Sequence, residues 1–130
     1  MHDIENEAHV KKLIDTFYDK VRKDAVIGHI FNEIIGTHWD KHLPTMYQFW
    51  NMVLLSKPGY EGYPTKKHMD VDKRIPLHQE HFDRWILLWD ETVDAHFKGT
   101  NAIHAKEKAK LMAELIMIKI DDSRTGNVIQ

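Results

Sequence analysis

Apolar residues recur along this chain at helical spacing, and no stretch shows the alternation of a strand. In the first block Val10, Leu13, Ile14, Phe17, Tyr18 and Val21 share one face, with Lys and Asp filling the other, the pattern of an amphipathic helix laid against a core. A short helix is expected near 25–35. Thr37 followed by Asp40 has the form of a capping box, which predicts a helix that starts shortly before Pro44, as a first-turn proline allows, and runs to about Leu55. After Pro76, residues Phe82, Trp85, Ile86, Trp89 and Val93 mark one face of a long helix ending before Gly99. Thr100 is a suitable cap for the last helix, whose apolar positions are Ala105, Met112, Leu115, Ile116 and Ile120. Beyond Asp121 the chain turns polar, and 121–130 is expected to be a flexible tail.

Gly28, Gly36, Pro44, Pro58-Gly59, Gly62, Pro64, Pro76 and Gly99 separate these blocks, with one richer loop at 57–66. The reading is an all-α chain, a single domain over 1–130. At 130 residues and 42% hydrophobic, it can bury one core but hardly two. The formal net charge of −2, with both signs interspersed, offers no basic face to nucleic acid and no attraction to an anionic membrane. The longest apolar runs are a few residues, far short of the ~20 that a spanning helix needs, so membrane insertion is not expected. The acidic start Met1-His2-Asp3-Ile4-Glu5 lacks the apolar core of a signal peptide, and a cytoplasmic location is expected. With no cysteine, the chain has no disulfide, thiolate metal site or iron–sulfur cluster. Ten histidines are left as the conspicuous ligating groups.

Four imidazole and aromatic groups fall where chemistry could use them. The loop-like stretch Tyr60-Glu61-Gly62-Tyr63-Pro64-Thr65-Lys66-Lys67-His68 delivers one imidazole, His68, between the two helical halves of the chain. On the block from 38 to 55, His42, Met46, Phe49 and Trp50 lie at i, i+4, i+7 and i+8. That stripe either faces a flat apolar cofactor such as a porphyrin or is core with His42 at its edge. Tyr18 on the first helix and Trp85 on the long one each bring a polar tip to an apolar face, which an ordinary buried partner would also explain.

Taken together the positions carry more than each does alone. Phe17-Tyr18 with Val21 and Asp24, Gly28 and Phe31, Trp39-x-x-His42-Leu43, Met46, Phe49-Trp50, Tyr60-x-Gly62-x-Pro64-x-x-x-His68 and His81-Phe82-x-Arg84-Trp85-x-x-Leu88 closely resemble the group III (P-type) bacterial truncated haemoglobins. The resemblance covers about residues 10–97. It implies a truncated globin fold, a two-over-two helical sandwich around haem b, with His68 as the proximal iron ligand. It also implies that Tyr18, His42 and Trp85 form the distal polar set, that Met46, Phe49 and Trp50 line the cofactor, and that Lys67 and Arg84 meet its propionates. The absence of the paired glycines that other truncated groups show between helices agrees with group III. Two features depart from the family's pattern. Trp89 stands where Phe is expected, and the cluster His38, His42, His78, His81 leaves open a six-coordinate form in which His42 also reaches the iron.

A neutral proximal imidazole leaves the opposite axial position open to a gas. Hydrogen bonds from Tyr18 and Trp85 to a polarised ligand would each contribute about 1.5–3 kcal/mol, enough to slow oxygen escape by orders of magnitude. The expected partner is therefore oxygen or another diatomic gas, nitric oxide or carbon monoxide, taken up, stored, transported or sensed. The alternative use of the same haem is a redox enzyme, a nitric oxide dioxygenase or peroxidase-like, which would need a separate reductase because the chain has no flavin or nicotinamide segment. A different class is a non-haem di-iron oxygen carrier built on His29-x-x-x-Glu33, His38-x-x-x-His42 and His68-x-x-x-Asp72. Gly36 between the first two pairs argues against it, as does the missing Glu-x-x-His motif. A cofactor-free helical interaction module leaves the histidines on apolar stripes without a use. A monomer or weak homodimer is expected, the face around 102–120 serving either the core or a second chain.

Overall fold

The computed structural model describes residues 1–60 and 75–125, with side chains as far as Asp122. Five helices make up the described part: α1 Glu7–Lys23, α2 Gly28–Ile35, α3 Trp39–Leu55, α4 Gln79–His96 and α5 Thr100–Thr125. No strand occurs among these residues. α1 packs on α3 and α4 packs on α5, while α1 against α4 and α3 against α5 join the two pairs. This two-over-two arrangement follows from the faces read in the sequence. Val10, Leu13, Ile14, Phe17, Tyr18 and Val21 are all buried on α1, and Phe82, Leu88, Trp89 and Val93 on α4.

Helix starts are where local sequence rules give way. α3 begins at Trp39 with His38 as its cap and no side-chain bond to it, so the Thr37–Asp40 capping box does not form; Thr37 lies one position too early to reach the first turn. Pro44 is the sixth residue of α3, in its second turn and not its first, where its missing N–H leaves the Asp40 carbonyl without its usual donor. Thr100 is the first residue of α5 rather than its cap. The cap comes from the far end of the chain: Asp3 Oδ2 accepts from Asn101 N at 2.9 Å and Asp3 Oδ1 from Ala102 N at 2.9 Å. Gly99, at φ 142°, permits this approach, since a Cβ there would lie 2.6 Å from Asp3 Cγ. Burial alone would raise the Asp3 pKa, but backbone donors from Asn101, Ile4 and Ala102 outweigh it and hold the carboxyl below its ordinary value. Asp3→Ala is expected to destabilise the fold by about 1–2 kcal/mol, as loss of an N-cap does, measured as a lower urea midpoint with unchanged slope.

α5 corrects one apolar position. Its buried stripe is built mainly on small residues, Ala102, Ala105, Ala109 and Ala113, with Ile116, Met117 and Ile120, which lets its backbone come close to α4. Leu115, expected on that face, is 49% exposed with Leu111 and Ile118. The helix also runs past Asp121 to Thr125, through the first part of the segment expected to be a flexible tail.

Candidate functional site

Between the helices lies a partly open cavity of about 290 Å³, which receives residues from all five of them. α1 contributes Tyr18, α3 contributes His42, Met46, Phe49 and Trp50, and α4 contributes Trp85. Six of the seven described candidates for the cofactor site are thus brought together. Arg84 is placed differently. Its Nε and Nη2 donate to Asp24 Oδ1 at 2.9 and 2.7 Å, and it is not among the cavity-lining residues. His68 and Lys67 lie outside the described residues.

One wall of the cavity is polar only at its tips. The Tyr18 ring stands 5.4 Å from that of His42 at 83°, and Trp39 completes the triangle at 5.6 Å from Tyr18 and 5.7 Å from His42. The Arg22 guanidinium covers the Trp39 ring at 4.7 Å, a cation–π contact that pins the start of α3 to α1. Burial pushes the Tyr18 hydroxyl pKa well above the ordinary tyrosine value, so it is a proton donor at any ordinary pH. Phe17 packs edge-on against Trp85 at 5.5 Å and 86°.

Several wall residues have no place in the site expected from the sequence. Ile30, Ile34 and Ile35 bring α2 to the cavity, and Ala113 and Ile116 bring α5; their helical spacing was visible but gave no hint of what they would face. Tyr60 stacks edge-on against Phe49 at 5.0 Å, and its buried hydroxyl has no hydrogen-bond partner among the described residues. His81 also lines the cavity. Its Nδ1 accepts from the His78 backbone N–H at 2.9 Å, which leaves the proton of the neutral ring on Nε2. Burial, with lesser contributions from His78 and His29, holds His81 below the usual histidine pKa despite Glu80 beside it. The His38–His42 and His78–His81 pairs sit at the starts of different helices, α3 and α4.

The chemistry of this donor set fits a flat, largely apolar cofactor. A cavity of a few hundred Å³ with aliphatic and aromatic walls and a few polar tips is the form of a small-molecule or cofactor site. Here the buried Tyr60 hydroxyl is the tip without a partner among the described residues, and Tyr18 brings a protonated hydroxyl to the same cavity. A dinuclear iron site fits poorly. Among the described residues no three His, Asp or Glu side chains are grouped to hold a metal ion, and the His29–Glu33 and His38–His42 pairs lie on separate helices.

An all-helical two-over-two domain built around a cofactor-sized cavity is the architecture of the truncated globins. The chain is 40% identical over 111 residues to a group 3 truncated haemoglobin of Campylobacter jejuni, covering 83% of this chain and 85% of that protein. Its structure matches the crystal structure of a group III truncated haemoglobin from the same organism with a TM-score of 0.83 at 32% identity, over 92% of this chain and 95% of the other. No family model matches the chain. The protein belongs to the group III truncated haemoglobins. Membership implies a haem cofactor, and the cavity is chemically suited to one. No helix among the described residues is long and apolar enough to cross a membrane.

Proposed function

We propose that this protein holds haem b in the cavity and reversibly binds a diatomic gas, oxygen foremost, with His68 as the proximal ligand. The observation that carries the reading is the buried Tyr18 hydroxyl on the same cavity wall as His42 and Trp85. Haem, when bound, supplies an iron centre that shares electron density with a diatomic ligand. Tyr18 and Trp85 then act as hydrogen-bond donors to that ligand, and His42, against Tyr18 and Trp39, tunes the donor network and gates access. Met46, Phe49 and Trp50 exclude water from the macrocycle. Lys67 is the propionate partner that the resemblance supplies; Arg84 would share that role only with the part of its guanidinium not held by Asp24.

Substitution of His68 by Ala tests the reading. Reduced wild-type protein is expected to show an intense Soret band that shifts with carbon monoxide, and His68→Ala to lose or alter it. A wild type without a Soret band after haem is supplied sinks the proposal. The same donors also suit a redox use of the haem, in which nitric oxide or peroxide is turned over with electrons from a separate reductase. Rapid reaction of the oxygenated protein with nitric oxide, followed by re-reduction in cell extract, would favour that use over storage or transport.

A further inference from the structure

Trp89 is not part of the cavity wall, yet two of the indoles that form the wall rest on it. The residue is fully buried. Trp85, one turn earlier on α4, stacks almost parallel to it at 5.9 Å and 5°. From α3, Trp50 stacks on it at 4.6 Å and 26°. Phe17 of α1 meets Trp89 edge-on at 4.9 Å and 90°, the same ring that meets Trp85. What holds Trp89 itself is a hydrogen bond: its indole N–H donates to the Ala105 carbonyl of α5 at 3.1 Å. One ring therefore ties together four helices, and its rotation in its own plane is fixed by a bond that a phenyl ring cannot make.

We infer that Trp89 is a positioning residue for Trp85, setting the plane of the Trp85 indole and hence the direction of its N–H in the cavity. The inference rests on the reading of Trp85 as a donor to the bound gas. An indole N–H lies in the ring plane and has one direction, and a hydrogen bond weakens steeply once its angle falls toward about 120°. A Trp85 free to rock or flip about its terminal torsion would spend part of its time aimed elsewhere. Phe, the residue that the family resemblance leads one to expect at 89, keeps an aromatic surface but loses the Ala105 bond and the second ring's share of the stack. The tryptophan in this chain is thus a device for holding one distal donor still.

The test compares Trp89→Phe with Val93→Ala, a cavity-forming change at a fully buried position one turn further along α4. Near-ultraviolet circular dichroism reads the stacked indoles, the C–O stretching band of the carbon monoxide complex reads the local field of the distal donors, and stopped flow gives ligand dissociation. Trp89→Phe is expected to keep its helix content and Soret band, lose the coupled indole signal and broaden or split the C–O band. Oxygen dissociation should rise about tenfold, as expected for weakening one hydrogen bond to a charged acceptor, with carbon monoxide dissociation within about twofold. In a Trp85→Phe background the further change Trp89→Phe should leave oxygen dissociation where it is. A normal Soret band with an unmoved C–O band overturns the inference alone. So does an equal band shift in Val93→Ala, or an undiminished effect of Trp89→Phe without Trp85. A wild type with no Soret band overturns the haem reading itself.

Discussion

Tyr18→Phe is expected to raise the oxygen dissociation rate by about 10- to 100-fold, because a hydrogen bond to a charged acceptor is worth about 1.5–3 kcal/mol and each 1.4 kcal/mol is about tenfold. Carbon monoxide dissociation should change by less than about threefold, since that ligand carries far less charge on its outer atom to accept the bond. The substitution is a clean one. Tyr18 is 6% exposed and its ring packs against Phe17, Phe31, Trp39 and His42, contacts that phenylalanine keeps. Because burial pushes the hydroxyl pKa up, the tyrosine stays protonated through neutral and alkaline conditions. The wild-type oxygen dissociation rate should accordingly show no step from Tyr18 over that range. Flash photolysis and ligand displacement with both gases check this; equal acceleration for the two gases would assign Tyr18 a packing role instead of a donor role.

The second large effect is on stability. Asp24 stands between α1 and α2 with its side chain 4% exposed. It accepts from Val26 N at 3.0 Å and Ile27 N at 3.1 Å with one oxygen, and from the Arg84 guanidinium with the other. Removing one partner of a buried ion pair costs about 3–5 kcal/mol, but the Arg84 side chain is 37% exposed, so solvent lowers the figure for Asp24→Asn to about 2–3 kcal/mol. Against a total of about 5–15 kcal/mol for a domain, that is a shift of about 10 °C in Tm. The pH dependence follows from the same contact. The Arg84 hydrogen bond, aided by the Ile27 and Val26 amides and opposed by burial, holds the Asp24 carboxyl below its ordinary pKa. A depressed folded-state pKa contributes stability that is fully present above the unfolded value, about 3.9, and disappears as the pH falls through the folded value. Wild type should therefore lose stability steeply below about pH 4, and Asp24→Asn should lose less over the same interval. Urea unfolding followed across the acid range measures both, and parallel pH profiles for the two proteins would rule out the pair as the cause.

Arg84 shows how a residue's chemistry can be legible while its partner is not. A guanidinium beside Trp85 is equally suited to a cofactor carboxylate or a protein one, and no local pattern distinguishes them. The structure pairs it with Asp24, sixty positions earlier in the chain, so it braces the helix of one distal candidate against the end of the helix of another. Trp89 is a similar case. As a departure from the family's pattern it looks like one apolar ring for another, and only the carbonyl of Ala105 on the next helix gives its N–H a purpose.

Local sequence was enough to place the five helices, most of the faces they bury and the aromatic and imidazole positions that carry the family resemblance. These are local properties, written in a repeat of 3.6 residues and in short motifs, and they survive without knowing where the chain goes next. Which distant groups meet comes only from the folded chain: Asp3 capping α5 across 98 positions, Asp24 holding Arg84, and a cavity that takes side chains from all five described helices. Partners of that kind are chosen by the path of the whole chain and by close packing between helices, since a polar group buried by that packing must find its bond wherever the fold supplies one.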